Sequence, residues 1–201
     1  MSDIFIILDD VQYVRRSFQN RNMIKTNSGA KWLTVPIQYS PQKTPINKIL
    51  IDNEQEWQKK HYKLIYDNYK SSPYFDEVST LIMPAFTDKW ELLENLNTFL
   101  LKKILNRMNI KCKIIKSSDL DVSSKNNELI LDLCVKVKAK EYIVGKGSKS
   151  YLKENDFKSK DIKISFVEKK VYYKQVCDPA KFLPDLSIID FLYSNGFSNN
   201  F

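Results

Sequence analysis

Ile4–Leu8 (IFIIL) runs straight into Asp9–Lys25 (DDVQYVRRSFQNRNMIK). Five apolar residues in a row leave no alternation between a wet and a dry face, so this run predicts a strand buried on both faces, the habit of parallel sheets. A central strand starting at residue 4 needs neighbours. The expectation is that an upstream strand is absent or that later segments supply one. In open α/β sheets ligands gather at the carboxyl ends of strands, and here that position is followed by Asp9, Asp10, Gln12, Arg15, Arg16, Asn20, Arg21, Asn22 and Lys25. Guanidiniums clamp phosphate or carboxylate in bidentate fashion. Amides read hydroxyls, and an acid can hold an amine or a sugar hydroxyl. The competing reading is a solvated loop whose charges pair with one another.

Working downstream, Trp32–Ile37 (WLTVPI) reads as a second strand, with Pro36 marking an edge or an end. Gln38–Lys48 reads as a loop around Pro41 and Pro45, and Lys48–Ile51 as a short strand. In Glu54–Tyr69, Trp57, His61, Leu64, Ile65 and Tyr69 recur at helical spacing on one face. Phe75–Met83 reads as a second helix stopped near Pro84. Asp88 and Glu91 have the spacing of a capping box ahead of a long helix reaching about Met108. Alternation then sets in: strand Cys112–Ile115, a polar loop over Ser117–Asn127, helix Glu128–Lys138, strand Tyr142–Val144, strand Ile162–Val167, and a final helix over Leu186–Tyr193. Strand, helix, strand in that order implies right-handed crossovers. The predicted class is α/β: a Rossmann-like, mostly parallel sheet with helices on both faces, lacking its first strand, in a single domain over residues 1–201.

Bulk composition narrows the function. The 201 residues, 43% hydrophobic, suffice for one core. Lys and Arg number 32 against 24 Asp and Glu, a formal net charge of +8, which favours an anionic partner such as a nucleotide-sugar. Basic runs are short and carry no interleaved aromatics, which argues against a dedicated nucleic-acid binder. The cysteines, Cys112, Cys134 and Cys177, are three, far apart and without a CxxC pair. Together with a single histidine, this leaves no disulfide framework and no zinc site, and it fits a reducing, cytoplasmic compartment. No apolar run is long enough to span a bilayer. No nucleophile-elbow motif is present.

Four smaller features carry paired readings. Gly145, Lys146 and Gly147 follow a strand, where glycines let backbone amides approach an anion or simply make a tight exit turn. His61 is either a packed core histidine or a catalyst. Asp185 and Ser187 either cap the last helix or open an anion site at its N-terminus. Ser117, Ser118 and Asp119 allow the same two readings.

Phe5–Lys25 resembles the signature block of the WbqC-like family, a strand leading into D-D-V-Q-[YF]-x-[KR]-R-x-x-x-N-R-N-x-I-K. Further segments are similar in order: KWLTVPI, WQKKHYKLIYDNYKSSPYF, KSSDL to YIVGKGSKSYL, and FLPDLSIIDFLYSNG. Family members carry an H-Q-P-x-Y-x-P-W-like segment ahead of the aspartate strand, and this sequence starts instead with Met1-Ser2-Asp3. The resemblance implies a role in bacterial surface-polysaccharide or O-antigen biosynthesis, as a transferase attaching an amino acid such as glycine, or an acyl group, to an amino sugar. The alternative is a non-catalytic module binding a nucleotide-sugar, a glycan precursor or a partner enzyme. On this resemblance Asp9, Asp10 and His61 are the candidate catalytic residues. Gln12, Arg15, Arg16, Asn20, Arg21, Asn22, Lys25, Gly145, Lys146 and Gly147 are the candidate substrate contacts. It implies no metal and names neither a cofactor nor an oligomeric state.

Overall fold

The structure, a computed structural model, describes residues 2–145, 152–167, 172–176 and 182–197. It resolves into two compact units, one of Met1–Asp10 with Cys112–Lys170 and the other of Val11–Lys111 with Val171–Phe201. Each unit is assembled from two stretches of chain, and sequence patterning shows no boundary at any of the three crossings.

In the first unit β1 (Ile4–Ile7) pairs in parallel with β4 (Lys113–Lys116), in a register that sets Ile7 beside Lys116. A second parallel pair joins β5 (Glu141–Gly145) to β6 (Lys163–Val167). Helix α5 (Asn126–Lys136) lies between β4 and β5 in the chain, and α6 (Glu154–Lys158) between β5 and β6. Cys134, Val144, Leu152, Phe157 and Ile162 form the core of this unit, with Tyr142 stacked on Phe157 at 5.6 Å. Burial pushes the Cys134 thiol up to about 11, so it stays protonated and packs as a small apolar group.

The second unit holds an antiparallel hairpin of β2 (Arg21–Thr26) and β3 (Gly29–Thr34). Its turn needs Gly29, whose φ is +101°, a backbone shape that side chains oppose. Around the hairpin lie α1 (Trp57–Tyr69), α2 (Phe75–Ile82), α3 (Pro84–Thr87), α4 (Leu93–Arg107) and α7 (Ile188–Asn195). Ile24, Ile65, Tyr69, Val78, Ile82, Met108 and Phe191–Tyr193 make one core cluster. Tyr13, Ile49, Ile51, Trp57, Ala85, Leu93 and Leu96 make another.

The α/β class holds, while the sheets are small. Among the described residues three two-stranded sheets, two parallel and one antiparallel, stand where the sequence suggests one mostly parallel sheet. Phe5 on β1 is exposed, so the strand is not covered on both faces. Strand β2 starts inside the polar segment Asp9–Lys25, where the sequence suggests no strand. Helix α2 stops at Ile82, just ahead of Pro84 as expected, and Pro84 then opens the next helical turn, because a first turn has no use for the missing N–H. The capping box at Asp88 and Glu91 is also replaced. Helix α4 begins at Leu93, whose N–H donates to the Ile49 carbonyl at 3.0 Å, so no side-chain cap is needed there.

Inside the second unit runs a chain of buried polar groups. Asp190, 0% exposed, accepts from the Tyr69 hydroxyl and from the Tyr173 hydroxyl at 2.7 Å. The Tyr69 oxygen accepts in turn from the Lys25 backbone N–H at 3.0 Å. These contacts tie β2, α1 and α7 together. Replacing Tyr69 with Phe keeps the ring and removes both bonds. A loss of about 2 kcal/mol in unfolding free energy is expected, read from urea denaturation. A change within about 0.3 kcal/mol would show that the network does not hold the elements.

Candidate functional site

Parallel pairing of β1 and β4 places the residues just beyond their carboxyl ends side by side. Asp9, 1% exposed, lies two residues past the end of β1. Ser117 and Ser118 open the 3-10 turn that follows β4. The Ser117 hydroxyl and the Ser118 N–H each donate to Asp9 Oδ1 at 3.1 Å, and the Ser118 hydroxyl donates to Oδ2 at 2.6 Å. Hydroxyls and an N–H converging on one carboxylate lock its orientation. Ser117 also donates to Asp10, sharing its single hydrogen between the two acids. Asp10 itself is exposed. The pair therefore divides its work: Asp9 positions, and Asp10 meets the solvent. Ser117 and Ser118 thus spend their donors on the aspartate pair.

The second unit distributes the rest of the segment. Gln12 and Arg15 line a hollow of ≈ 480 Å³ with Tyr13, Val14 and the Tyr39–Thr44 loop. Arg15 reaches across to donate to the Ser40 carbonyl at 3.3 Å. Arg16 is exposed with a left-handed backbone, φ 60°. Arg21 lies over the Trp32 ring at 4.1 Å and donates to the Arg16 carbonyl, so much of its guanidinium serves local packing. Phe18, 64% exposed, leans on the same Trp32 ring at 5.5 Å. Asn20 is buried, and its amide donates to the Val35 carbonyl at 2.8 Å. Asn22 is exposed and accepts from the Met23 N–H at 2.8 Å. Lys25 is only 1% exposed, with its ammonium donating to Gln175 Oε1 at 2.9 Å. Gln175 is held in turn by the backbone of Leu183. Lys25 thus belongs to the interior and not to the wall of the hollow.

His61 stands on α1, edge-on to Trp57 at 5.3 Å. Burial pulls its imidazole down to about 4, against a weaker upward pull from the hydrogen bond to the Thr34 backbone. It is neutral at pH 7 and already engaged, which makes it a weak base and a good packing group. Gly145 ends β5 with open space where a Cβ would stand. Lys146, Gly147 and Cys177 lie outside the described residues. Ser187 occupies the N-cap position of α7 without a side-chain cap bond. Its N–H instead donates to the Met23 carbonyl at 2.7 Å, and Asp190 serves the interior.

Sequence reasoning overlooked the Tyr39–Thr44 wall of the hollow, although a tyrosine and a lysine beside Pro41 were visible in it. It also overlooked Tyr69, Tyr173 and Gln175 as polar partners. Among the described residues no group of three or more His, Cys, Asp or Glu could hold a metal ion, and no helix is long and apolar enough to cross a membrane.

The profile of the WbqC-like protein family matches residues 1–200. The uncharacterized protein Rv1507c of Mycobacterium tuberculosis is 33% identical over 198 residues, covering 96% of this chain and 84% of that protein. No solved structure matches.

The depressed His61 value sets a pH dependence. Between its ordinary value of 6.5 and about 4, the unfolded chain binds a proton that the folded chain does not, so stability falls as pH falls through that window. A decrease of the order of 1–3 kcal/mol between pH 7 and pH 4.5 is expected from this residue. His61→Gln should flatten that part of the curve. An identical slope in wild type and variant would show that His61 is not its source.

Proposed function

Since this chain belongs to the WbqC-like protein family, we propose that it acts in bacterial surface-polysaccharide biosynthesis, in the cytoplasm, as a transferase. It joins an amino acid such as glycine, or another acyl group, to the amine of an amino sugar. The observation that carries this reading is the solvent-facing Asp10 beside a buried, donor-saturated Asp9 at the carboxyl end of two parallel strands. In the same reading, β1 and β4 belong to a Rossmann-like sheet that presents its ligand site there.

Acyl transfer to an amine forms a C–N bond, breaks the bond to the leaving group of the activated donor, and releases a proton from nitrogen. Asp10 hydrogen-bonds the amine, holds it against the carbonyl carbon and accepts that proton, which then passes to the leaving group or to water. Asp9, clamped by Ser117 and Ser118, fixes the strand end so that Asp10 is in place before substrate arrives. Separately, in the second unit, the exposed Gln12 and Asn22 offer amides to a hydroxyl, and the exposed Arg15 and Arg16 offer charge to a phosphate. The covalent step uses no enzyme nucleophile.

A second reading, a non-catalytic module that holds the precursor, is favoured by one observation: His61 is neutral and packed, so no histidine is poised for proton transfer. Isotope-traced acyl transfer to amino sugars separates the two readings. Turnover in the wild type with at least about a hundredfold loss in Asp10→Asn supports the transferase, and Ser118→Ala should lower turnover less, by about tenfold. Sugar binding without turnover favours the module.

A further inference from the structure

Residues Gln12–Arg15 and Tyr39–Thr44 face each other across the hollow of the second unit. The two walls are pinned by backbone bonds from Tyr13 N–H to the Thr44 carbonyl at 2.9 Å and from Ile46 N–H to the Val11 carbonyl at 3.0 Å. Gln12 and Pro45 add an antiparallel bridge. On the loop side, the Thr44 hydroxyl closes a turn onto the Pro41 carbonyl at 2.7 Å. This frame is built before any ligand arrives, so ordering it at the moment of binding costs little.

Its lining is one-sided in charge. Arg15 and Lys43 are the ionised side chains, and no carboxylate is among the lining residues. Gln12, Ser40, Gln42 and Thr44 add neutral hydrogen-bonding groups. Tyr13 and Tyr39 add rings. Tyr13 is buried as part of the wall, whereas Tyr39 is 87% exposed. No ring contact involving Tyr39 occurs among the described residues. Arg15 is steadied by the Ser40 carbonyl, which uses one edge of a guanidinium with five N–H donors and leaves others for an anion.

We propose that this hollow is a nucleotide site: the diphosphate lies against Arg15 and Lys43, and the base stacks on the open face of Tyr39. The volume of ≈ 480 Å³ falls in the range of small-molecule pockets. Two cations with no opposing acid select a multiply charged group. The free tyrosine face selects a ligand that carries a flat ring as well as a charge. A bare phosphate or a sugar phosphate would leave that ring without a partner. The proposal rests on the preceding reading only for what the nucleotide would carry, an activated sugar or acyl group. The hollow can bind its ligand whether or not the chain is a transferase.

The test is calorimetric titration of the full chain with UDP, ADP and GDP, and with inorganic pyrophosphate, at low salt. At least one nucleotide should bind more tightly than pyrophosphate. Arg15→Gln should weaken that nucleotide by about tenfold or more. Tyr39→Ala should weaken it by about fivefold or more while leaving pyrophosphate unchanged. Both side chains are exposed, and circular dichroism checks that each variant folds. Lack of binding by all three nucleotides, binding no tighter than pyrophosphate, or binding indifferent to both substitutions would overturn the proposal. Nucleotide binding with no acyl transfer by any variant sinks the transferase reading and leaves the hollow standing. Acyl transfer without nucleotide binding does the reverse.

Discussion

A carboxyl group taken out of water has to be met by donors, and in this protein two buried aspartates set that condition. Leaving either unmatched would cost more than most single contacts return. Asp9 is met by Ser117 and Ser118, which lie more than a hundred residues further along the chain. Asp190 is met by Tyr69 and Tyr173. Ser117, Ser118 and Tyr69 reach these carboxylates from more than a hundred residues away in the chain. The polar bonds therefore specify which elements must meet, while the apolar clusters supply the bulk of the driving force.

The consequence for chemistry is a division between neighbours of the same residue type. Asp9 has its oxygens occupied and its position fixed, and Asp10, one residue on, is left at the surface. Paired acids with different surroundings take different roles, and here the difference comes from burial and serine donors. The basic segment is divided in the same way. Lys25 is drawn into the interior, Arg21 is spread over Trp32, and Arg15 remains at the mouth of a hollow. A cluster that looks uniform in composition thus contains a core residue, a packing residue and a residue lining a hollow.

His61 illustrates how a residue type can mislead. A single histidine beside two lysines invites a catalytic reading, yet its face of α1 carries it against Trp57 and toward the Thr34 backbone. Desolvation then removes the property that makes histidine useful near neutral pH. The serines after β4 run the other way. They look like turn formers and become the donors that hold the aspartate pair.

Much was legible from residue order. The helices over 57–69, 75–82 and 93–107, the strands after residues 112 and 140, and the last helix follow from apolar spacing, because side-chain periodicity is a local property. Hairpin β2–β3 was harder to see, since Arg21, Asn22 and Lys25 mask the strand. The clue lay in Asn27–Gly29, a turn just ahead of an apolar run. The sequence by itself determined most of the helices and parallel strands, the class, the family and the segment that carries the acids and arginines. Only the tertiary structure decided which of those side chains meet water. That outcome depends on register between β1 and β4 and on contacts from residues 69, 117, 118, 173 and 175, and pairings over such distances leave no periodic trace in the chain.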